Sequence, residues 1–395
     1  MRKFLKWILS ALYGLVMIEV LVMISPFAFY WYSLYAPTLQ RLHRWPATAW
    51  MQAFFLPHSV ITTSSVLEFL RWGVGTYAFS LGMLAFFFCA FQVYGSKFLK
   101  RRPVHSWLYS RIRHPQYLSL AVAGFGLLTM WPRIIILILY MGMLFAYYFL
   151  ARLEERQMEA KYPEYAAYRR HTSMFLPGNP GGRLYRLLFG WVPSPALGHA
   201  MASVLIVALV ISAALLLRRY TIGHSATALR PEDRVFAIAI WPMPMDKVQQ
   251  VLASALRDER VHRALEKESG AAFTAHILPA DYGMVSMFAD VGEDHRMFSR
   301  LSPGRFRYLL RFLFPFFGPN IKHRIMGTPQ DNYKVIFSRV DEPGWPVISV
   351  SHVTDLTVKM TPVVIADISG ANKDPQQVVI PPRRSFWGDI TMPMF

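Results

Sequence analysis

Long apolar runs govern what this chain can fold into. Four stretches, at about residues 7–31, 69–95, 133–151 and 196–217, approach or exceed the roughly 20 mostly apolar residues that a helix needs to cross a bilayer core. In lipid every backbone polar group must be bonded within its own segment, so such runs are expected to be helical. A fifth, at about 116–131, is shorter and ends at Trp131-Pro132-Arg133, which reads as a tight turn between antiparallel helices. The apolar stretch from Trp45 to Leu56 is broken by Pro57-His58 and is expected in the membrane interface. Met1-Arg2-Lys3 before an apolar run imitates a signal peptide. The run is too long, however, and Phe27-Ala28-Phe29 is a poor small-residue cleavage site, so it is expected as an uncleaved first span. After about Leu217 the composition becomes that of an ordinary soluble domain. The expected fold is an all-α polytopic membrane domain of about five transmembrane helices over residues 1–219, followed by a small soluble α+β domain over residues 220–395.

Charge divides at the same place. Of 42 Lys+Arg and 24 Asp+Glu in the chain, 22 and 6 fall in residues 1–219, leaving 20 and 18 for the rest. The formal charge of +18 thus belongs almost wholly to the membrane half. Such a bias marks basic loops facing an anionic cytoplasmic leaflet. The basic residues flank apolar spans and no zinc-finger spacing occurs, so no nucleic-acid partner is expected. Arg2, Lys3 and Lys6, the loop at about 96–115, and the segment from Arg152 to Arg186 all belong on the cytoplasmic side. Alternation through five spans puts them there and sends the C-terminal domain outside; Arg218 and Arg219 oppose that exit. The corresponding location is a bacterial inner membrane with a periplasmic or extracytoplasmic tail. Cys89, the single cysteine, lies in an apolar run; it allows no intramolecular disulfide and does not report the tail's compartment.

The tail predicts a strand over Val235–Trp241 and a helix from Asp246 to about Glu268, with Val248, Val251, Leu252, Ala255, Leu256 and Leu265 on one face and Gly270 ending it. Further β-branched runs follow at Tyr333–Ser338, Val347–Val353 and Val358–Ile368. The run from Arg305 to Phe317 is too aromatic for a solvated loop. It reads either as an interfacial helix or as part of the domain's own core. His262, His276, His295, His323 and His352 show no metal-ligand spacing, so no metal is expected. There are no internal repeats and no low-complexity tract.

Chemistry concentrates in residues 98–177. Tyr109-Ser110-Arg111-Ile112-Arg113-His114-Pro115-Gln116-Tyr117 precedes a helical hairpin. Glu154-Glu155, Tyr165-Ala166-Ala167-Tyr168 and Phe175-Leu176-Pro177 follow it. Pro115 suits the first position of a helix, where a missing amide hydrogen costs nothing. A short hairpin then brings imidazole, phenol, guanidinium and two carboxylates to one mouth. Singly, each residue has a bland explanation: a positive-inside anchor, an interfacial aromatic, the start of a solvated helix. Their combination at this spacing points to a site.

That combination resembles the isoprenylcysteine carboxyl methyltransferase and phospholipid methyltransferase superfamily, membrane enzymes that use S-adenosylmethionine. The resemblance covers roughly residues 70–178 and rests on Arg-His-Pro-x-Tyr, the hairpin, Glu-Glu, the spaced tyrosines and the closing Leu176-Pro177. It implies that His114 and Tyr117 contact the cofactor, that Tyr109 lines it, and that Glu154, with Glu155, holds it. Gly73-Val74-Gly75 resembles a Gly-x-Gly that phospholipid methyltransferases carry one span earlier, although glycine pairs in membrane helices also serve close packing. Trp107 stands where small residues are usual. Leu150 replaces the arginine that prenylcysteine enzymes carry four residues before the glutamates, which speaks against a prenylcysteine substrate.

The residue types suit that cofactor. Aromatic faces attract a sulfonium cation, a glutamate pairs with the ammonium, and Arg113 offers two parallel hydrogen bonds to the carboxylate. Methyl transfer is an in-line displacement that needs alignment above all. A thiol or amine acceptor would also need a base, His114 or a glutamate such as Glu155. The expected acceptor is a membrane lipid or a lipophilic small molecule. Two alternatives remain open. One is a non-catalytic member of the fold, acting as an anchor or as a subunit of a larger membrane complex. The other is a relative of the sterol reductases, which share the helical architecture and use a nicotinamide cofactor.

Overall fold

The computed structural model describes residues 45–57, 62–98, 107–240, 243–268, 270–279, 332–340, 350, 360–369 and 375–381, with isolated positions before residue 45. The chain divides into two units, residues 1–20 with 68–218 and residues 21–67 with 219–395. By contacts, residues 21–67 group with the second unit.

Helices build the first unit. A π-helical turn over Phe69–Val74 runs into α1 (Gly75–Phe98). Next come α2 (Pro115–Met130) and α3 (Ile134–Lys161). The short helices α4 (Tyr165–His171) and α5 (Pro180–Phe189) lead to α6 (Pro195–Gly223), whose end belongs to the second unit. Three helices among the described residues are long and apolar enough to cross a membrane: Ser65–Val93, Ile134–Lys161 and Pro195–Gly223. They coincide with the expected spans at about 69–95, 133–151 and 196–217. The expected span at 7–31 lies almost wholly outside the described residues. The one at 116–131 forms as α2, whose 16 residues cover about 24 Å at a rise of 1.5 Å each.

Glycine sets the distance between α1 and α2. A Cβ on Gly82 would sit 2.5 Å from the amide nitrogen of Ala123 and 2.8 Å from the carbonyl oxygen of Ser119. A Cβ on Gly126 would run into the backbone of Phe79 and lie 2.6 Å from the carbonyl oxygen of Gly75. The two helices are therefore antiparallel and in backbone contact, a packing that small residues permit. The turn to α3 forms at Trp131-Pro132-Arg133 as expected. Trp131 N–H donates to Leu127 O (2.8 Å), and the Arg133 backbone accepts from Leu137 N–H (3.0 Å). Arg133 is fully buried, its guanidinium carbon 5.2 Å from the centre of the Trp131 ring.

The second unit holds a six-stranded mixed sheet in the order β1-β2-β3-β4-β5-β6. Its strands are β1 (Thr227–Arg230), β2 (Val235–Ala239), β3 (Phe273–Pro279), β4 (Asn332–Val340), β5 (Met360–Ser369) and β6 (Pro375–Val379). Only β2 and β3 pair in parallel, and their connection carries α7 (Met245–Arg257) and α8 (Glu259–Glu266). Alternate strand residues, Val235 and Ala237 of β2, Ala275 and Ile277 of β3, and Val335 and Phe337 of β4, pack with Val248, Leu252, Val261 and Leu265 of the two helices. The opposite face is also buried, and there Lys334 pairs across strands with Asp367.

One expectation changes here. The single helix expected over Asp246–Glu268 is broken at Asp258, which is extended (ψ 123°) and accepts the Arg260 N–H at 2.8 Å, so that α8 starts on its own cap. The stretch Trp45–Leu56 forms a helical turn at Pro46–Ala49 and a 3-10 turn at Trp50–Gln52, then buries Phe54, Phe55 and Leu56, with Phe55 O accepting from the Thr221 hydroxyl (3.0 Å). The strands expected at 235–241, 333–338 and 358–368 are present as β2, β4 and β5. The run Val347–Val353, apart from Val350, and the run Arg305–Phe317 lie outside the described residues.

Candidate functional site

The mouth forms because three backbone segments converge before any side chain does. Pro115 occupies the start of α2, and His114 immediately precedes it with φ −124° and ψ 58°. A short extended stretch after α4 pairs with this entry. Arg113 N–H donates to Ser173 O (2.9 Å), His114 N–H to Met174 O (3.1 Å), and Ser173 N–H to Arg111 O (3.1 Å). The Tyr168 hydroxyl closes the clamp by donating to Tyr109 O at 2.6 Å. Helix α3 delivers the carboxylates. About 20 residues suffice to cross the hydrocarbon core, so a helix entering at Ile134 leaves it near Glu154.

Around that frame the side chains form one connected cluster. Arg113 Nε donates to Glu155 Oε1 at 2.6 Å, and its Nη1 donates to Arg169 O (3.1 Å) and to Thr172 O. The buried His114 ring has Nε2 3.4 Å from Glu155 Oε1 and Nδ1 3.8 Å from Glu154 Oε2. Among the described residues, neither ring nitrogen makes an aligned hydrogen bond. His114 stacks on Tyr117 (centroids 5.5 Å), Tyr117 stacks on Tyr147 (5.1 Å), and Phe175 closes the other side of the imidazole at 6.0 Å. The glutamates differ in access, the Glu154 side chain being 20% exposed and that of Glu155 5%. Tyr109 is buried, and its hydroxyl donates to Gln116 Oε1 at 3.0 Å. Burial raises the Tyr109, Tyr165 and Tyr168 phenols, so all three stay protonated at neutral pH.

Of the residues singled out in the sequence, Tyr109, Arg113, His114, Tyr117, Glu154 and Glu155 meet here. Gly73 and Gly75 do not. Gly75 faces Thr129 and Gly126 near the far end of α2, about 20 Å along that helix from His114 at 1.5 Å per residue. Its lack of a side chain serves helix packing. Arg113 is engaged through Nε by Glu155 and through Nη1 by two backbone carbonyls. Tyr147 and Thr172 went unforeseen. Tyr147 carried a signal, since 147, 151 and 155 recur every four residues on the buried face of α3. Thr172 carried none, because a backbone carbonyl is its main contribution.

An electron-rich aromatic stack beside a partly accessible carboxylate can hold a cation, and an imidazole flanked by two carboxylates can take up a proton. Among the described residues no three His, Cys, Asp or Glu side chains are placed to hold a metal ion. No family model matches the chain, and neither a curated protein nor a solved structure does.

Proposed function

We propose that the chain is a membrane-embedded methyltransferase that uses S-adenosylmethionine and acts on a lipophilic or small acceptor at the cytoplasmic face, as the resemblance to the isoprenylcysteine and phospholipid methyltransferases implies. One observation carries this reading: the stacked Tyr117 and Tyr147, the buried His114 and the more accessible Glu154 lie together at one end of the α2–α3 hairpin. When bound, the cofactor supplies an electrophilic methyl group on a sulfonium cation. The donor set fits it. The aromatic faces of Tyr117 and Tyr147 suit the cation, and Glu154 suits the ammonium. Arg113 is engaged elsewhere, so its part is to hold Glu155 and the 172–174 segment in place. His114, backed by both carboxylates, is the base for an acceptor that must lose a proton, with Glu155 sharing that proton.

The proposal includes five spans, adding residues 7–31 and 116–131 to the three apolar helices, with the mouth cytoplasmic and the second unit outside. The membrane would be a bacterial inner membrane. A second reading, a non-catalytic anchor or complex subunit, is favoured by one feature. The buried Arg113–Glu155 pair, tied to backbone carbonyls, is a structural lock that would hold the mouth together with no cofactor at all.

Calorimetric titration of S-adenosylmethionine into the purified chain with lipids present separates the two. Binding is expected, weakened by about 1–3 kcal/mol in His114→Ala or Glu154→Ala, the usual cost of leaving a buried polar partner unmet. No heat of binding in the wild type rejects the enzyme and leaves the scaffold.

A further inference from the structure

Helix α5 keeps its apolar face in the open. Leu184, Leu187 and Leu188 on the helix and Trp191 in the turn that ends it are 56%, 78%, 45% and 71% exposed. Asn179, left-handed at φ 48°, starts the helix by accepting the Gly182 N–H at 3.2 Å. Gly182 and Arg186 lie opposite that stripe, Arg183 flanks it, and the partly buried Tyr185 and Phe189 pack together on the far side. Two facts fix what covers the apolar face. First, α6, the most apolar of the three long helices, begins at Pro195, four residues past Trp191, so α5 lies where a membrane span starts. Second, no acidic residue occurs between Glu164 and Glu232, whereas Arg169, Arg170, Arg183 and Arg186 all precede that span. Arg169 pairs with Glu159, but Arg183 and Arg186 make no ion pair among the described residues, and an apolar stripe bordered by such arginines matches an anionic bilayer surface.

We propose that α5 lies in the plane of the membrane, with Leu184, Leu187, Leu188 and Trp191 in the acyl-chain boundary of an anionic leaflet and Arg183 and Arg186 on its headgroups. Its start follows the Phe175-Leu176-Pro177 segment that packs on His114. Docking therefore levels the mouth with the leaflet and gives a lipid-borne acceptor its way in. The inference rests on reading α6 as a span and not on methyl transfer, so a chain that binds no cofactor can still dock this face and the two tests fail separately.

The test uses the full chain in vesicles, with Cys89→Ala and an environment-sensitive fluorophore on Leu187→Cys or, on the opposite side, Arg186→Cys. In phosphatidylcholine mixed with phosphatidylglycerol, the label at 187 is expected to be quenched by acyl-chain nitroxides and shielded from aqueous iodide, with the reverse at 186. Arginines near an anionic surface favour docking about fivefold each. Quenching at 187 should therefore fall in pure phosphatidylcholine, and Arg183→Gln with Arg186→Gln should abolish that dependence on lipid charge. A label at 187 that stays aqueous in both lipids overturns the docking. Quenching indifferent to headgroup charge overturns the anionic partner.

Discussion

Glu154 and Glu155 are neighbours in sequence with different work. Glu155 is held by Arg113 Nε at 2.6 Å, whereas the nearest ring nitrogen to Glu154 is His114 Nδ1 at 3.8 Å. Removing one partner of a buried pair strands the other charge, so Arg113→Ala should lower stability by about 3–5 kcal/mol. Glu154→Ala should cost about 1 kcal/mol or less, as for a partly solvated charge. Thermal unfolding in detergent measures both, and equal losses would erase the distinction. A second residue reports on pH. His276 on β3 is 2% exposed, and burial lowers its imidazole to about 3. The unfolded chain takes up this proton below about 6.5 and the folded chain does not. The stability tied to the neutral ring is therefore complete above that pH and is lost as pH falls toward about 3. Between pH 7 and 5 the loss should be about 2 kcal/mol, and His276→Gln should remove that share of the pH dependence in unfolding curves. That Arg113, His114 and the glutamates come together was legible in the sequence, because a helical hairpin returns the chain from Pro115 to Glu154 on one side. Gly75 packs against Thr129 and Gly126, and a glycine in an apolar helix fits packing and ligand approach equally well, so its sequence context does not choose between them.

Among elements, the α1–α2 contact is the most exposed to single changes. Gly82→Ala and Gly126→Ala would each push a methyl group into the facing backbone, which cannot move aside as a side chain can. Each is expected to cost about 1–3 kcal/mol. Gly181→Ala in the first turn of α5 meets nothing within 4 Å and should be neutral or slightly stabilising, since glycine is a poor helix former. Melting temperatures of the three variants decide the matter, and a Gly126→Ala protein as stable as wild type would mean the helices stand further apart. The long helices were legible from hydropathy because bilayer thickness imposes their length. The break at Asp258 carried a cap signal that apolar periodicity overrode, since Val261 and Leu265 prolong the stripe of α7. Helix α5 has apolar residues at helical spacing from Leu184, but Gly178, Pro180, Gly181 and Gly182 at its start weaken that signal.

For the whole molecule, α6 is, among the described helices long and apolar enough to span, the one that stands in sequence between the mouth residues and the sheet. If it crosses the bilayer, residues before and after it face opposite compartments, however many spans precede it. Single cysteines at His171 and Glu259, both exposed, should react with an impermeant maleimide from opposite sides of intact cells. Labelling of both from one side would deny the crossing. The composition changes near Leu217, close to where one unit gives way to the other at Arg218, and the grouping of residues 21–67 with the later unit has no counterpart in composition. That grouping depends on contacts such as the Thr62 hydroxyl donating to His224 O at 3.0 Å, between residues far apart in sequence and with no shared pattern. The strand order has a consequence for how such a molecule is made. Each described strand pairs with the strand before it in sequence, so every new strand finds its neighbour already in place. A domain synthesised from its N-terminal side can then zip up as it emerges, each described strand adding to an edge already in place.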